Sequence, residues 1–441
     1  MKRAVVLAGG GSKGAYEAGF MKALSELGID YQIVTGTSIG ALNGCLLAQQ
    51  DLEALEKLWN HIDISQVFAG GFQPDFEFDL DTMLNQSNLI ISFFKKYIKE
   101  KGADITPLKE LIRSLLKEEK LLSSPIDFGL CTVHYPSLKP LFITKEEMNK
   151  QYIFDYLIAS ASCFPVFPIH SIQNEDFIDG GYYDNVPIDL AFDMGADEII
   201  VVDMNSKEAT HKHYVHRPHI TYTMPYVDLG GFMDFSREAL DRNKRLGYQT
   251  AMKCFGHYLG VKYTFQKFES PLFHVFYKDI LYLERYMRKM FRSDTGGNLV
   301  YRFMEAHKDQ PLDENDYFFV ALDWTLELVG RDPSYVYQFE LVLQDLLKDF
   351  EKYTDSEYQM VSLHSTDEVS RTLKNMNRLG VVGRLLHGML YPAEEKIDVE
   401  KFLTLFSKEV IIARLLFMLY NEKRDKISVK KALCQEWRIK E

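Results

Sequence analysis

An α/β domain with a mostly parallel sheet covered by helices, followed by an α-helical C-terminal region, is the fold this 441-residue sequence predicts. Three observations carry the expectation. Strand and helix patterns alternate from the N-terminus to about residue 205, as in parallel strands linked by crossover helices. Two glycine-rich turns, Gly9-Gly10-Gly11-Ser12-Lys13-Gly14 and Gly36-Thr37-Ser38-Ile39-Gly40, each stand between a short apolar run and a helical segment. Past residue 205 the strand signals thin out, and long segments mixing charged and apolar residues at helical spacing take over.

In chain order, residues 3–8 read as the first strand and 14–27 as a helix, with Phe20, Leu24 and Leu27 on one face and Gly28 as its stop. Tyr31-Gln32-Ile33-Val34-Thr35 reads as a buried second strand, and residues 41–48 as a tightly packed helix. Residues 51–122 are mostly helical in pattern, with Thr106 expected as an N-cap and Pro107 at the first helical position. Residues 127–134 and 138–145 are expected as strands, 151–162 as a helix, 177–183 as a strand or hairpin, and 198–204 as the last strand of this half. The first domain is therefore placed at 1–205. Residues 206–233 are expected as an irregular linker, and 234–441 as the α-rich region, with helices at 234–256, 275–292, 338–352, 367–390 and 398–421. No repeat of fixed period is present.

Composition bounds the function. With 46% hydrophobic residues the chain can bury more than one core. Its five cysteines are scattered and include no C-x-x-C pair, which points to neither a disulfide framework nor a zinc site and suits a reducing cytoplasm. The apolar run after Met1-Lys2-Arg3 reaches glycine after five residues, too short for a signal-peptide core. The nearest approach to a membrane span, residues 410–420, is too short and carries Arg414. With 63 acidic against 51 basic residues and a net charge of −12, neither nucleic-acid binding nor purely electrostatic adsorption to anionic lipid is expected.

Three constellations carry chemistry. Gly36-Thr37-Ser38-Ile39-Gly40 has the G-x-S-x-G spacing of a nucleophile elbow, in which glycines let a sharp strand-to-helix turn project the serine hydroxyl at a helix N-terminus. Without chemistry, the same letters would make an ordinary Gly/Ser-rich turn. Gly9, Gly11 and Gly14 also satisfy G-x-G-x-x-G, the dinucleotide-binding pattern. That use needs an acidic residue at the end of strand two, where this chain has Thr35-Gly36-Thr37-Ser38; Asp30 stands at the wrong end. A phosphate-binding P-loop is excluded, because no Lys-Ser/Thr pair follows the last glycine. What remains is a tight turn, or a loop whose N–H groups stabilise an oxyanion. Finally, Asp179-Gly180-Gly181 is either a hairpin turn or a carboxylate that adjacent glycines leave free to approach a serine hydroxyl as general base.

Taken with Ala159-Ser160-Ala161-Ser162, Phe164-Pro165-Val166-Phe167-Pro168, Asn185 and Pro187, these blocks resemble the patatin-like phospholipase family, in that family's order and over about residues 4–204. The resemblance implies a three-layer α/β/α fold and a Ser–Asp dyad acyl hydrolase. It implies Ser38 as nucleophile, Asp179 as base and Gly9, Gly10 and Gly11 as oxyanion loop. Ser12, Lys13, Gly14, Gly36, Gly40, Gly180 and Gly181 then support the site, Lys13 standing where the family has Arg or Lys. Neither a catalytic histidine, a metal nor a cofactor is expected from it. The substrate implied is a lipid or other acyl ester, with peripheral contact at a membrane left open. An esterase acting on soluble acyl esters, and a catalytically silent scaffold, are the alternatives.

The histidines offer a competing site. A Ser–His–Asp triad could draw on His211, His213, His216 or His219, and the four also suggest a metal cluster. Their spacing fits neither a helical pair nor a zinc finger, so a solvated linker is expected. His170 is read as structural. Asn88-Leu89-Ile90-Ile91-Ser92-Phe93-Phe94-Lys95-Lys96-Tyr97-Ile98-Lys99 could act as an interfacial lid or a core-facing helix, and the aromatic stretch 268–277 is expected in the C-terminal core.

Overall fold

The computed structural model describes residues 1–70, 103–291, 299–308, 310–354, 377–391, 403 and 406–424. The chain divides into two compact units, Met1–Gly256 and His257–Glu441.

The first unit is built on short apolar strands. β1 (Arg3–Leu7) and β2 (Ile33–Thr37) are buried at nearly every residue, as strands covered on both faces must be. They join β3 (Asp127–Tyr135), β4 (Pro140–Thr144), β5 (His170–Ile172), β6 (Glu175–Asp179), β7 (Glu198–Val202) and β8 (Ile220–Thr223) in one sheet. Its order is β5-β6-β3-β2-β1-β7-β8, with β4 also paired to β3. β1, β2, β3, β7 and β8 run parallel, whereas β4, β5 and β6 are antiparallel to their neighbours. The described helices of this unit are α1 (Gly14–Glu26), α2 (Ile39–Ala48), α3 (Leu52–His61), α4 (Thr106–Leu115), α5 (Glu118–Ser123), α6 (Ile153–Ser160), α7 (Ile188–Asp193) and α8 (Arg237–Cys254).

The register explains how residues far apart in sequence meet. β2 pairs with β3 up to Thr37 against Cys131, and β6 pairs with β3 from Asp179 against Thr132. β4 pairs with residues on both of these stretches, from Gly129 to Val133, and so occupies the opposite side of β3. β2 and β6 therefore lie end to end along the same side of β3, one running toward the junction from each direction. Ser38 follows the last residue of β2 and Asp179 is the last residue of β6, so strand pairing alone brings them together.

Two expectations about this unit need correction. Residues 206–233 are not a linker: they carry β8, which extends the sheet parallel to β7, so 198–204 is not its last strand. α8 also belongs here. A Cβ at Gly247 would run into the Tyr16 backbone, and one at Gly19 into the backbone of Lys244, so these two glycines let α1 and α8 pack backbone to backbone. The unit boundary consequently falls at residue 256 rather than 205. A smaller correction concerns α4, whose first residue is Thr106; the Asp104 side chain accepts from the Thr106 N–H at 2.9 Å and takes the capping role expected of the threonine. The segment 88–99 lies outside the described residues.

The second unit is helical, as expected. It contains a two-stranded parallel pair, β9 (Thr264–Phe265) with β10 (Val336–Tyr337), and six described helices. These are α9 (Leu272–Phe291), α10 (Leu299–Ala306), α11 (Glu314–Leu328), α12 (Phe339–Thr354), α13 (Arg378–Leu390) and α14 (Ser407–Arg424). Phe268 stacks on Phe339 at 4.2 Å between centroids, and Phe273 meets Phe318 edge-on at 4.9 Å, so the aromatic stretch does enter the core. No described helix is long and apolar enough to cross a membrane.

The same unit buries one ion pair, Arg414 on α14 with Asp279 on α9, both carboxylate oxygens being engaged and Nε lying 2.5 Å from Oδ2. Removing one partner leaves an uncompensated charge in a low-dielectric site. Arg414→Leu is expected to lower stability by about 3–5 kcal/mol. Combining it with Asp279→Leu should recover most of that loss; urea unfolding of the two variants reads the difference.

Candidate active site

The elbow is built by close approach. A Cβ at Gly40 would lie 2.5 Å from the Leu7 carbonyl oxygen and 2.6 Å from that of Ala8, and a Cβ at Gly36 would lie 2.7 Å from the Ala41 nitrogen. Only glycine fits at either place. Between them Ser38 adopts φ 56° and ψ −124°, a conformation that L-residues avoid and that marks stored strain at functional positions. The turn is held from outside. Ser160 Oγ accepts from the Ser38 N–H at 3.0 Å and donates to the Cys131 carbonyl at 2.7 Å. Thr37 Oγ1 donates to the Asp184 carbonyl at 2.8 Å.

Ser38 does not cap its own helix. Its hydroxyl donates instead to Asp179 Oδ2 at 2.6 Å. Asp179 Oδ1 accepts from the Gly181 N–H at 2.8 Å, and the Asp179 backbone N–H donates to the Ser162 carbonyl at 2.9 Å. Gly180 and Gly181 form a 3-10 turn after β6 rather than a hairpin turn. A Cβ at Gly180 would come within 2.9 Å of Thr37 Cγ2, so this glycine too is there for close packing. Asp179 is only 2% exposed. Burial pushes its carboxyl up to about 7, against the smaller opposing effects of the Ser38 and Gly181 hydrogen bonds.

The glycine loop lies alongside. A Cβ at Gly9 would lie 3.2 Å from Ser38 Cβ, and one at Gly10 would lie 2.9 Å from Met204 Cε. Gly11 sits at φ 57° with the Phe232 carbonyl against it. The Gly9 N–H donates to the Asn185 carbonyl at 3.1 Å, while Asn185 Nδ2 donates to the Gly9 carbonyl at 3.1 Å. Gly9 is thus clamped to Asn185, and its N–H is not free for an incoming oxyanion. Of the three glycines expected as donors, Gly10 and Gly11 have N–H groups with no protein acceptor among the described residues. The Ser12 N–H donates to the Phe232 carbonyl at 2.8 Å and its hydroxyl to that of Gly231 at 3.1 Å, which pins the loop. Lys13 precedes α1, and Gly14 opens it where a Cβ would strike Ile39 and Trp59.

The histidines divide. His211 is not a solvated linker residue: its Nε2 lies 3.0 Å from Asp184 Oδ1, and this partner holds its pKa above the usual imidazole range. His213 packs on the Tyr214 ring at 4.2 Å. Neither is hydrogen-bonded to Ser38. His170 Nε2 lies 3.0 Å from Asp155 Oδ1 and ties β5 to α6, the structural place expected of it. Among the described residues no group of three or more His, Cys, Asp or Glu side chains is placed to hold a metal ion. Asn185 and Ser160 carry more of the site's geometry than their places in the motifs suggested.

A strained elbow serine after a parallel strand, donating to a buried carboxylate at the end of an antiparallel one, has the geometry asked of a nucleophile and its general base. Residues 5–192 match the family described as Patatin-like phospholipase, so the chain carries a patatin-like phospholipase domain over those residues, with its C-terminal half outside the match. Patatin-like phospholipase domain-containing protein 7 of Rattus norvegicus is 28% identical over 212 residues, covering 47% of this chain and 14% of that protein. Lysophospholipase nte1 of Aspergillus terreus is 28% identical over 205 residues, covering 46% of this chain and 12% of that protein. The chain therefore spans only a small part of these relatives' lengths. Among solved structures, VipD from Legionella pneumophila aligns over 93% of this chain and 91% of its own, at 16% identity and a TM-score of 0.37.

The buried carboxylate has a consequence for stability. Its folded pKa of about 7 lies above the ordinary 3.8, so the fold favours the protonated form. The contribution is fully present below the ordinary value and is lost as pH rises through about 7. Asp179→Asn, which never ionises, is expected to raise the thermal midpoint relative to wild type at pH 8.5, with the advantage shrinking toward pH 5. Thermal melts of both proteins across that range check it.

Proposed function

We propose that the chain is a serine acyl hydrolase that cleaves carboxylic esters of lipids, with Ser38 as nucleophile and Asp179 as general base. The observation that carries the reading is the 2.6 Å hydrogen bond from the strained elbow serine to a buried carboxylate whose pKa is raised to about 7. A base of that strength can take a proton near neutral pH, which an aspartate at its ordinary value of about 3.9 does poorly. Ser38 Oγ attacks the ester carbonyl carbon as its proton passes to Asp179. The tetrahedral oxyanion is held by the Gly10 and Gly11 N–H groups, with the Ile39 N–H at the start of α2 as a third donor. The C–O bond to the alcohol then breaks and the leaving oxygen takes the proton back from Asp179. A water molecule, deprotonated by the same carboxylate, attacks the acyl-enzyme; Ser38 leaves with that proton and the acid is released. Gly9, Gly36, Gly40, Gly180 and Gly181 supply the close approaches this geometry requires, and Ser12, Lys13 and Gly14 hold the loop. No metal or cofactor enters the scheme.

Lipid as the substrate class is supported by the family match and by the names of the relatives, a patatin-like phospholipase domain protein and a lysophospholipase. Turnover of long-chain phospholipid vesicles alongside short para-nitrophenyl esters is the expected outcome. Turnover of the short esters alone would favour an esterase on soluble substrates.

Ser38→Ala and Asp179→Asn are each expected to lower turnover on the order of 10³-fold or more while the far-ultraviolet circular dichroism stays that of wild type. A fluorophosphonate probe should label wild type at Ser38 and leave Ser38→Ala unlabelled. Because the base form of Asp179 is required, kcat/KM should fall about tenfold per pH unit below a midpoint near 7. A profile flat down to pH 5 would remove Asp179 from the role.

A further inference from the structure

One buried carboxyl group near the site is not used by the scheme above. Glu17, on the first turn of α1, is wholly buried, and its Oε1 has no hydrogen-bond partner among the described residues. Asn43 Nδ2, on α2, donates to Glu17 Oε2 at 2.8 Å and to the Gly14 carbonyl at 3.1 Å. Trp59 Nε1, on α3, donates to Asn43 Oδ1 at 3.0 Å. A single polar chain therefore links Gly14 and Glu17 at the start of α1, the helix behind Ser38, and α3.

This chain lies where the two functional turns meet back to back. A Cβ at Gly14 would lie 2.6 Å from Ile39 Cγ1 and 2.7 Å from Trp59 Cζ2, and one at Gly40 would lie 2.6 Å from the Ala8 carbonyl oxygen. Glycines let the surfaces touch but do not fix their relative position, because they offer no directional bond. Glu17, Asn43 and Trp59 supply the directional bonds. Burial, reinforced by the charge of Asp203, pushes the Glu17 carboxyl well above the usual range, which favours its neutral form. A neutral group can accept from Asn43 without placing a negative charge behind a loop meant to receive an oxyanion.

We propose that Glu17, acting through Asn43 and Trp59, is a positioning residue that sets the glycine loop against the nucleophile helix, holding the Gly10 and Gly11 N–H groups on the oxyanion. The proposal rests on the acyl-hydrolase reading. Donors displaced by a fraction of an ångström lose most in the transition state and little in the ground state, so the effect belongs in kcat rather than KM.

The test uses the full chain with para-nitrophenyl butyrate as substrate and an alkyl trifluoromethyl ketone, which adds reversibly to Ser38 to give an oxyanion. Glu17→Leu removes both acceptor oxygens at similar volume. It is expected to lower kcat about 10- to 100-fold with KM within about twofold, and to weaken ketone inhibition by the same factor as kcat. Glu17→Gln keeps a neutral acceptor for Asn43 and should stay within about threefold of wild type on both readouts. If Glu17→Leu does not fold, Trp59→Phe, which deletes one donor and keeps the ring, should lower kcat and ketone affinity together by about 3- to 10-fold. Folded variants with lowered thermal stability but wild-type kcat and ketone affinity would overturn the proposal and make the network merely structural. Fluorophosphonate labelling separates the two levels. A wild-type protein that neither labels at Ser38 nor turns over substrate refutes the acyl-hydrolase reading itself. An active, labelled wild type beside an equally active Glu17→Leu refutes only the role of Glu17.

Discussion

The hydrogen bond from Ser38 Oγ to Asp179 Oδ2, 2.6 Å long, is the contact that the architecture of the first unit holds in place. It joins a residue in a strained conformation to a carboxyl group in a site that disfavours its charge. Neither condition is favourable alone. Each persists because rigid surroundings impose it: β2 and β6 abut along one side of β3, Ser160 holds the Ser38 N–H, and the Gly181 N–H holds the other carboxylate oxygen. The sheet is thus less a container for the site than the device that assembles it.

Much of this was legible in the sequence. The glycines at 36, 40 and 180 signal places where backbone must meet backbone, and the structure puts carbonyl groups or Thr37 against each of them. The alternation of strand and helix gave the parallel sheet, and the aromatic stretch 268–277 ends in a core. What was not legible depends on tertiary context. β8 is four residues long and follows a polar run, so it carries too little pattern to be recognised before β7 is there to pair with it. α11 is buried from Tyr317 to Leu326 without interruption, so its apolar residues show no helical period. The capture of the Gly9 N–H by Asn185 joins residues on different elements, and no spacing announces it.

Charge was the least legible of all. An aspartate in a Gly-rich turn looks like an ordinary surface carboxylate, and Glu17 looks like one polar position on an otherwise small and apolar helix face. In the fold both are buried, and burial dominates the local hydrogen bonds in raising each carboxyl. The two carboxyl groups then differ in a useful way. Asp179 is raised to about 7 beside the Ser38 hydroxyl, while at Glu17 burial favours the neutral form and Asn43 supplies a directional bond.

The proposed chemistry turns on the proton affinity of Asp179, which can be measured without substrate. Carbon-13 NMR of protein labelled at aspartate Cγ, with the Asp179→Asn spectrum identifying the resonance, follows the carboxyl group as pH is varied. A titration midpoint near 7 is predicted. A midpoint at the ordinary carboxylate value of about 4 would contradict the claim that burial has made this aspartate a base.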